Sequence, residues 1–347
     1  MNRITKKIFG KLKDGRNVYE FTLKNLNGFE ISAINYGGII TRIVFPGRDG
    51  IPSNIVLGYD TLDAYLKNPF YIGALVGRTA NRIKGGQLLI GNHTYQLSLN
   101  NPPNHLHGGY NGFHNRFWDI EPDETNNLLK LSYLSPDGEG AYPGNLNIEV
   151  LYALSEENEL KITYKASTDK PTPLSPTQHT YFNLSANPGE TILNHDLKIK
   201  SLELLEVDDH QCPTGEFINV KNSPFDFNQF RKIGEQIDHK LLSKMRGYDH
   251  FYIFNKVEGA EKKAELWHKP SGRYLSMKSD FPGMQVYTSN FLENIPDEKN
   301  RFYQKHGAIC LEAHFHPDSS RYNHFSDWIL IPDEKFEHST SYRFEIK

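Results

Sequence analysis

Ala308-Ile309-Cys310-Leu311-Glu312-Ala313-His314-Phe315-His316, near the C-terminus, decides how this chain is read. As a strand its side chains alternate, so Ile309, Leu311, Ala313 and Phe315 face a core while Cys310, Glu312, His314 and His316 face the other way. The expectation is a carboxylate on the open face of a well-anchored strand. Thr177-Gln178-His179-Thr180-Tyr181-Phe182-Asn183-Leu184 repeats the arrangement, with Phe182 and Leu184 on one face and His179, Tyr181 and Asn183 on the other. A carboxylate and an imidazole on two rigid strands outline an acid/base pair.

Working outward, strands outnumber helices. Asn17 to Lys24 and Phe29 to Ile34 alternate, and Ile39 to Phe45 is an apolar strand ending at Pro46-Gly47. Gly91-Asn92 joins Gln87 to Ile90 and His93 to Leu97 as a tight hairpin. A meander follows: Phe117 to Glu121, Leu128 to Leu134, Asn145 to Leu154 and Leu160 to Ala166, separated by turn-rich pieces. Leu197 to Val207 is one or two strands, and Ala264 to His268, Arg273 to Ser279, Met284 to Asn290 and Ser341 to Ile346 complete the set. Asp60 to Lys67 reads as a short helix capped by Asp60, and Ile237 to Met245 has weak helical spacing. Asn101 to Gly109 is too rich in Pro and Gly for regular structure, so its His105 and His107 are binding candidates on a loop. No internal repeat or linker-like stretch interrupts the chain, which predicts a single domain over residues 1–347. The fold class is all-β, a large antiparallel sandwich or related closed sheet with few short helices.

Composition narrows the function. The chain has 347 residues and a formal net charge of −3 with both signs interspersed, so nothing draws it to nucleic acid or to an anionic membrane. A small neutral ligand suits that balance. Only Cys212 and Cys310 are present, too few for a disulfide framework or a cysteine zinc site. The N-terminal residues lack an apolar run long enough for a signal peptide and no stretch is long and apolar enough to span a bilayer, which sets the expectation of a cytoplasmic protein.

Several pieces then fall into one order. Asn81-Arg82-Ile83 comes first, then His107-Gly108-Gly109 with Phe113 and Trp118, Gly140-Ala141-Tyr142-Pro143-Gly144-Asn145-Leu146, and Gln178-His179-Thr180-Tyr181-Phe182-Asn183-Leu184. Tyr248-Asp249-His250, Gln285-Val286-Tyr287-Thr288-Ser289-Asn290-Phe291, and Leu311-Glu312 with Pro317-Asp318 complete it. In this order they resemble the motifs of the aldose 1-epimerases, or galactose mutarotases, and the resemblance covers essentially the whole chain. It implies a large antiparallel β-supersandwich of the galactose mutarotase type with a sugar in a cleft. It also implies that Glu312 takes the proton of the anomeric hydroxyl, that His179 protonates the ring oxygen, and that Asn81, Arg82, His107, Tyr181, Asp249 and Gln285 hold the sugar or orient the pair. After the glutamate many relatives carry polar residues such as Thr-Gln-Asn, where Ala313-His314-Phe315-His316 stand here.

The chemistry of the residues agrees. Mutarotation moves two protons at adjacent oxygens, so one base and one acid suffice and neither a metal nor another cofactor is expected. Histidine titrates near working pH, glutamate is an ordinary base, and Arg82 and Asp249 supply donors and acceptors for hydroxyls. Three other readings use some of the same residues. A cupin-type metal enzyme would draw on His105, His107, Glu312, His314 and His316, but His107 is followed by Gly108, Gly109 and Tyr110 with no glutamate close behind. A glycoside hydrolase would pair Asp249 with Glu312 and would not need His179. A carbohydrate-binding protein without catalysis would bind sugar and leave its anomers at their own rate. The expected substrate is a free hexose, galactose or glucose, or the reducing end of a disaccharide. No cluster of Lys and Arg joins Arg82 to hold a phosphate. The expected assembly is a monomer or homodimer.

Overall fold

The protein is described by a computed structural model covering residues 3–254, 262–293, 295–296 and 302–347. Three antiparallel sheets dominate the described residues. The largest has nine strands, in the order Asp119–Asp123, Leu128–Ser135, Leu146–Leu154, Glu159–Thr168, Phe336–Ile346, Arg273–Ser279, Ala264–His268, Asp196–Ile199 and Arg231–Lys232. Its meander follows from sequence period. In Leu146–Leu154 each of Leu146, Ile148, Val150, Tyr152 and Leu154 is buried, while Asn147 and Glu149 are exposed. A five-stranded sheet is formed by residues 4–54.

The third sheet carries the site. Its six strands run Tyr181–Phe182, Ile309–His314, Gly283–Tyr287, Asp249–Ile253, Glu203–Val207 and Pro213–Asn219. One face, with Phe182, Leu311, Ala313, Met284, Val286 and Tyr252, joins the main apolar core. That face packs on the nine-stranded sheet, where the Tyr342 hydroxyl donates to the Leu311 carbonyl at 2.7 Å.

The structure corrects three expectations. Glu312 does not stand on an open face: every residue of Ile309–His314 is buried, because the strand is internal to its sheet and loops cover the second face. His179 is not within a continuous strand. Thr177-Gln178 pairs with Leu75-Val76, whereas Tyr181-Phe182 pairs with Ile309-Cys310. The chain changes partner between them, and the His179 backbone bonds to Gly73 and Ala74 at that crossing. The short helix is Leu62–Leu66, with Thr61 rather than Asp60 at its N-cap and no side-chain capping bond. Burial of Leu62 and Tyr65 holds it, and the Tyr65 hydroxyl accepts from the Tyr59 amide at 2.9 Å. Among the described residues no helix is long and apolar enough to cross a membrane.

Candidate active site

Directly opposed residues of antiparallel strands point to one face, and this rule assembles the floor of the site. Tyr181 lies opposite Cys310, Gln285 opposite Glu312 and Asp249 opposite Tyr287. These side chains therefore form one row on the face turned away from the main core. Above them lies a cleft of about 380 Å³. Each of Asn81, Arg82, His107, His179, Tyr181, Asp249, Gln285 and Glu312 lines it.

Glu312 and His179 meet at its base. His179 Nε2 lies 3.5 Å from Glu312 Oε1, and the two side chains are only 6% and 2% exposed. The second Glu312 oxygen and His179 Nδ1 are buried without a hydrogen-bond partner. A charge so enclosed is disfavoured, so burial pushes His179 down to about 3 and holds Glu312 well above the usual carboxylate range, with Asp249 adding to the latter. The imidazole runs nearly parallel to two rings, Tyr181 at 5.0 Å and 18° and Tyr71 at 6.2 Å and 21°.

The walls come from irregular segments fastened to this floor. The Asn81 side-chain amide donates to Gln285 Oε1 at 3.0 Å, and the Gln285 amide donates to Asp249 Oδ1 at 2.6 Å. Gln211 donates to the other Asp249 oxygen at 3.3 Å. Burial raises Asp249 while the nearby Arg82 guanidinium pulls it down. Arg82 itself is steadied by donating through Nε to Asn101 at 3.1 Å.

One hydrogen bond fixes the sense of His107. The Asn81 backbone N–H donates to His107 Nδ1 at 3.2 Å, so that nitrogen carries the lone pair and Nε2 carries the proton. His107, His179 and Glu312 offer donor atoms within 4.8 Å of one another, a spacing that also suits a metal. A ligating histidine, however, keeps its lone pair for the metal and donates its other N–H outward. His107 is held the opposite way round, as a hydrogen-bond donor inside the site.

The remaining histidines weighed from sequence are elsewhere. His105 is buried with Nδ1 2.8 Å from the Ser98 carbonyl and Nε2 2.8 Å from the Tyr142 hydroxyl. His314 follows Glu312 along the same face of its strand but is buried beside the cleft, packed on Phe251 at 4.9 Å, and His316 stacks on Phe325 at 4.8 Å. The cupin-type ligand set is therefore not brought together. Conversely, Phe70, Tyr71, Asn101, Gln211, Tyr287 and Phe291 line the cleft without having been singled out as site residues. Tyr287 and Phe291 lay within a quoted motif and share its polar, aromatic run; Gln211 and Tyr71 carried no signal of pattern or spacing.

Comparison with known proteins matches this architecture. The sequence profile of the family described as aldose 1-epimerase matches residues 19–343. The chain is 35% identical to galactose mutarotase of Bos taurus, covering 100% of both chains, and 31% identical to aldose 1-epimerase of Escherichia coli K12, covering 95% of this chain and 96% of that one. Its fold is similar to an aldose epimerase homologue from C. elegans, with TM-score 0.88 and 30% identity over 94% of this chain and 98% of that one. It is equally similar to galactose 1-epimerase from Lactobacillus acidophilus, with TM-score 0.88 and 28% identity over 100% and 99%. The chain belongs to the aldose 1-epimerase family, isomerases that interconvert the anomers of aldose sugars.

Proposed function

We propose that the cleft takes a free hexose, galactose or glucose, and that Glu312 and His179 carry its anomerisation. Glu312 removes the proton from O1, the O1 electrons form the C1 carbonyl, the C1–O5 bond breaks, and O5 takes a proton from His179. Rotation about C1–C2 turns the other carbonyl face to O5. The reverse transfers then close the ring as the other anomer. The supporting observation is the pair itself: two groups 3.5 Å apart, buried at the base of a cleft, each with a further polar atom lacking any protein partner. His107 donates through Nε2 to a sugar oxygen, Arg82 and Asp249 hold hydroxyls, and Asn81 and Gln285 fix Asp249 in place.

A hydrolase reading pairs Asp249 with Glu312 and gives His179 no part, whereas His179 Nε2 stands 3.5 Å from Glu312 Oε1 at the base of the cleft. The test is polarimetry of freshly dissolved α-D-galactose and α-D-glucose. Wild-type protein speeds the approach to anomeric equilibrium, and Glu312→Gln lowers kcat by about 10²–10⁴-fold, the range of a lost general base. Sugar binding by both proteins with no rate effect from either would make the chain a binding protein instead.

A further inference from the structure

Two residues beyond Glu312, on the same face of its strand, stands a histidine that the reaction as described does not use. His314 is fully enclosed, at 0% exposure. Its Nδ1 lies 2.6 Å from the Phe315 carbonyl oxygen. A carbonyl only accepts, so Nδ1 carries the proton and Nε2 is left with the lone pair. Burial pushes the group down to about 4, which keeps the ring neutral and that assignment intact. Among the described residues Nε2 has no hydrogen-bond partner, and neither has Glu312 Oε2. Two buried acceptors therefore stand side by side without donors.

Neither can satisfy the other, since an imine nitrogen and a carboxylate oxygen both accept. The polar side chains nearby are committed. Gln285, opposite Glu312, bonds Asn81 and Asp249, and the Tyr181 hydroxyl donates to the Phe70 carbonyl at 2.8 Å. Gly283, opposite His314, offers no side chain, and the Phe251 ring takes that space: a Cβ on Gly283 would lie 2.4 Å from it. That ring packs on His314 at 4.9 Å, so this side of the imidazole is apolar. Protonation of His314 would oppose that of His107 and His179 through space, which puts its ring in the same enclosed region as theirs. Two buried acceptors are joined by a molecule with two donors, and water is the ordinary one. Residues two apart on a strand are about 6.8 Å apart, and a water bonded at about 2.8 Å to each end spans up to about 5.6 Å, so a slight lean of the side chains closes the bridge.

We propose that His314 is a positioning residue for Glu312: its Nε2 accepts from a buried water that donates its other hydrogen to Glu312 Oε2, and this bridge turns the carboxylate towards O1 of the sugar. The inference rests on the reading of Glu312 as the base. Oε1 faces His179 at 3.5 Å, so the bridge fixes the oxygen that His179 does not reach. A carboxylate oxygen accepts two bonds, and Oε2 held by water keeps a lone pair for the O1 proton. His314 itself touches no reacting atom. It acts only through Glu312.

The experiment takes the full chain as wild type, His314→Phe and His314→Gln, each read by crystallography without sugar and by mutarotation of glucose. Phenylalanine keeps a ring against Phe251 and has no nitrogen. Glutamine extends an acceptor oxygen about as far as Nε2 and gives up the Nδ1 bond to Phe315. The expected wild-type structure shows one water within hydrogen-bond distance of both His314 Nε2 and Glu312 Oε2. His314→Phe is expected to lack it and to lower kcat about tenfold at unchanged KM, the size of one hydrogen bond to a charged group, while His314→Gln keeps the water and holds kcat within about twofold of wild type. No water between the two atoms in wild type, wild-type kcat in His314→Phe, or an equal loss in both variants would overturn the proposal, the last because it marks the Phe315 bond as what matters. If His314→Phe does not fold, the wild-type water and the His314→Gln rate decide. Should wild type not speed mutarotation, the acid/base reading fails, while the water between His314 and Glu312, present or absent, still decides the bridge.

Discussion

In the proposed reaction Glu312 and His179 share a single proton. The closed ring meets a carboxylate and an imidazolium; the open chain leaves a carboxylic acid and a neutral imidazole, with the same proton count. Adding a second proton puts an uncompensated positive charge in a buried place, which burial resists, since it already pushes His179 to about 3. Removing the last proton leaves a buried carboxylate near Asp249, and both effects hold Glu312 up. The pH profile of kcat/KM is therefore expected to be a broad plateau, with its acid limb well below the ordinary histidine value of ~6.5 and its alkaline limb well above the carboxylate range. An acid limb near 6.5, measured by polarimetry in overlapping buffers, would contradict this account. The orientation of His107 leads to a separate expectation: prolonged treatment with a chelator such as EDTA leaves the rate unchanged, because Nε2 is a donor and not a ligand.

At the scale of elements, the loops owe their positions to close backbone approach. Gly108 has φ +81, and a Cβ there would lie 1.8 Å from the Gly77 carbonyl oxygen. Gly108→Ala must displace the segment that carries His107. It is expected to cost about 2–3 kcal/mol in urea unfolding and to lower kcat/KM more than the stability loss explains. The same segment shows why some motifs were legible while their purpose was not. The Gly140-to-Leu146 run stays outside the cleft; the buried Arg78 guanidinium donates to the carbonyls of Pro143 and Gly144, and Tyr142 bonds Thr79 and His105. It acts as a buttress. Period-2 alternation revealed the meander and the two faces of the Glu312 strand, because local side-chain pattern records which face is apolar. It did not reveal that the polar face is covered, or that His179 sits where the chain changes partners. Both depend on segments far away in sequence, as does the contribution of Gln211.

The whole molecule carries an unusual load of buried neutral histidine. Burial pushes His105, His114, His250, His314 and His316 down to about 4, and His179 to about 3. Between the unfolded value of ~6.5 and these folded values the unfolded chain binds more protons, so stability falls with pH by about 1.4 kcal/mol per unit for each such histidine. Asp318, raised to about 6, works in the opposite direction, as do Asp249 and Glu312. The histidines outnumber them. Urea midpoints are expected to drop steeply from pH 7 to pH 5, and a midpoint that held or rose would reject this balance. The joining of floor and core has a further consequence, one for descent. The strands that present Glu312, Gln285 and Asp249 to the cleft pack their other faces into the main core, so drift in the chemistry also disturbs folding. Other lining residues, including Asn101, His107 and Gln211, come from segments outside those strands. Lineages that inherit this scaffold are therefore expected to keep the reaction while their choice of sugar wanders.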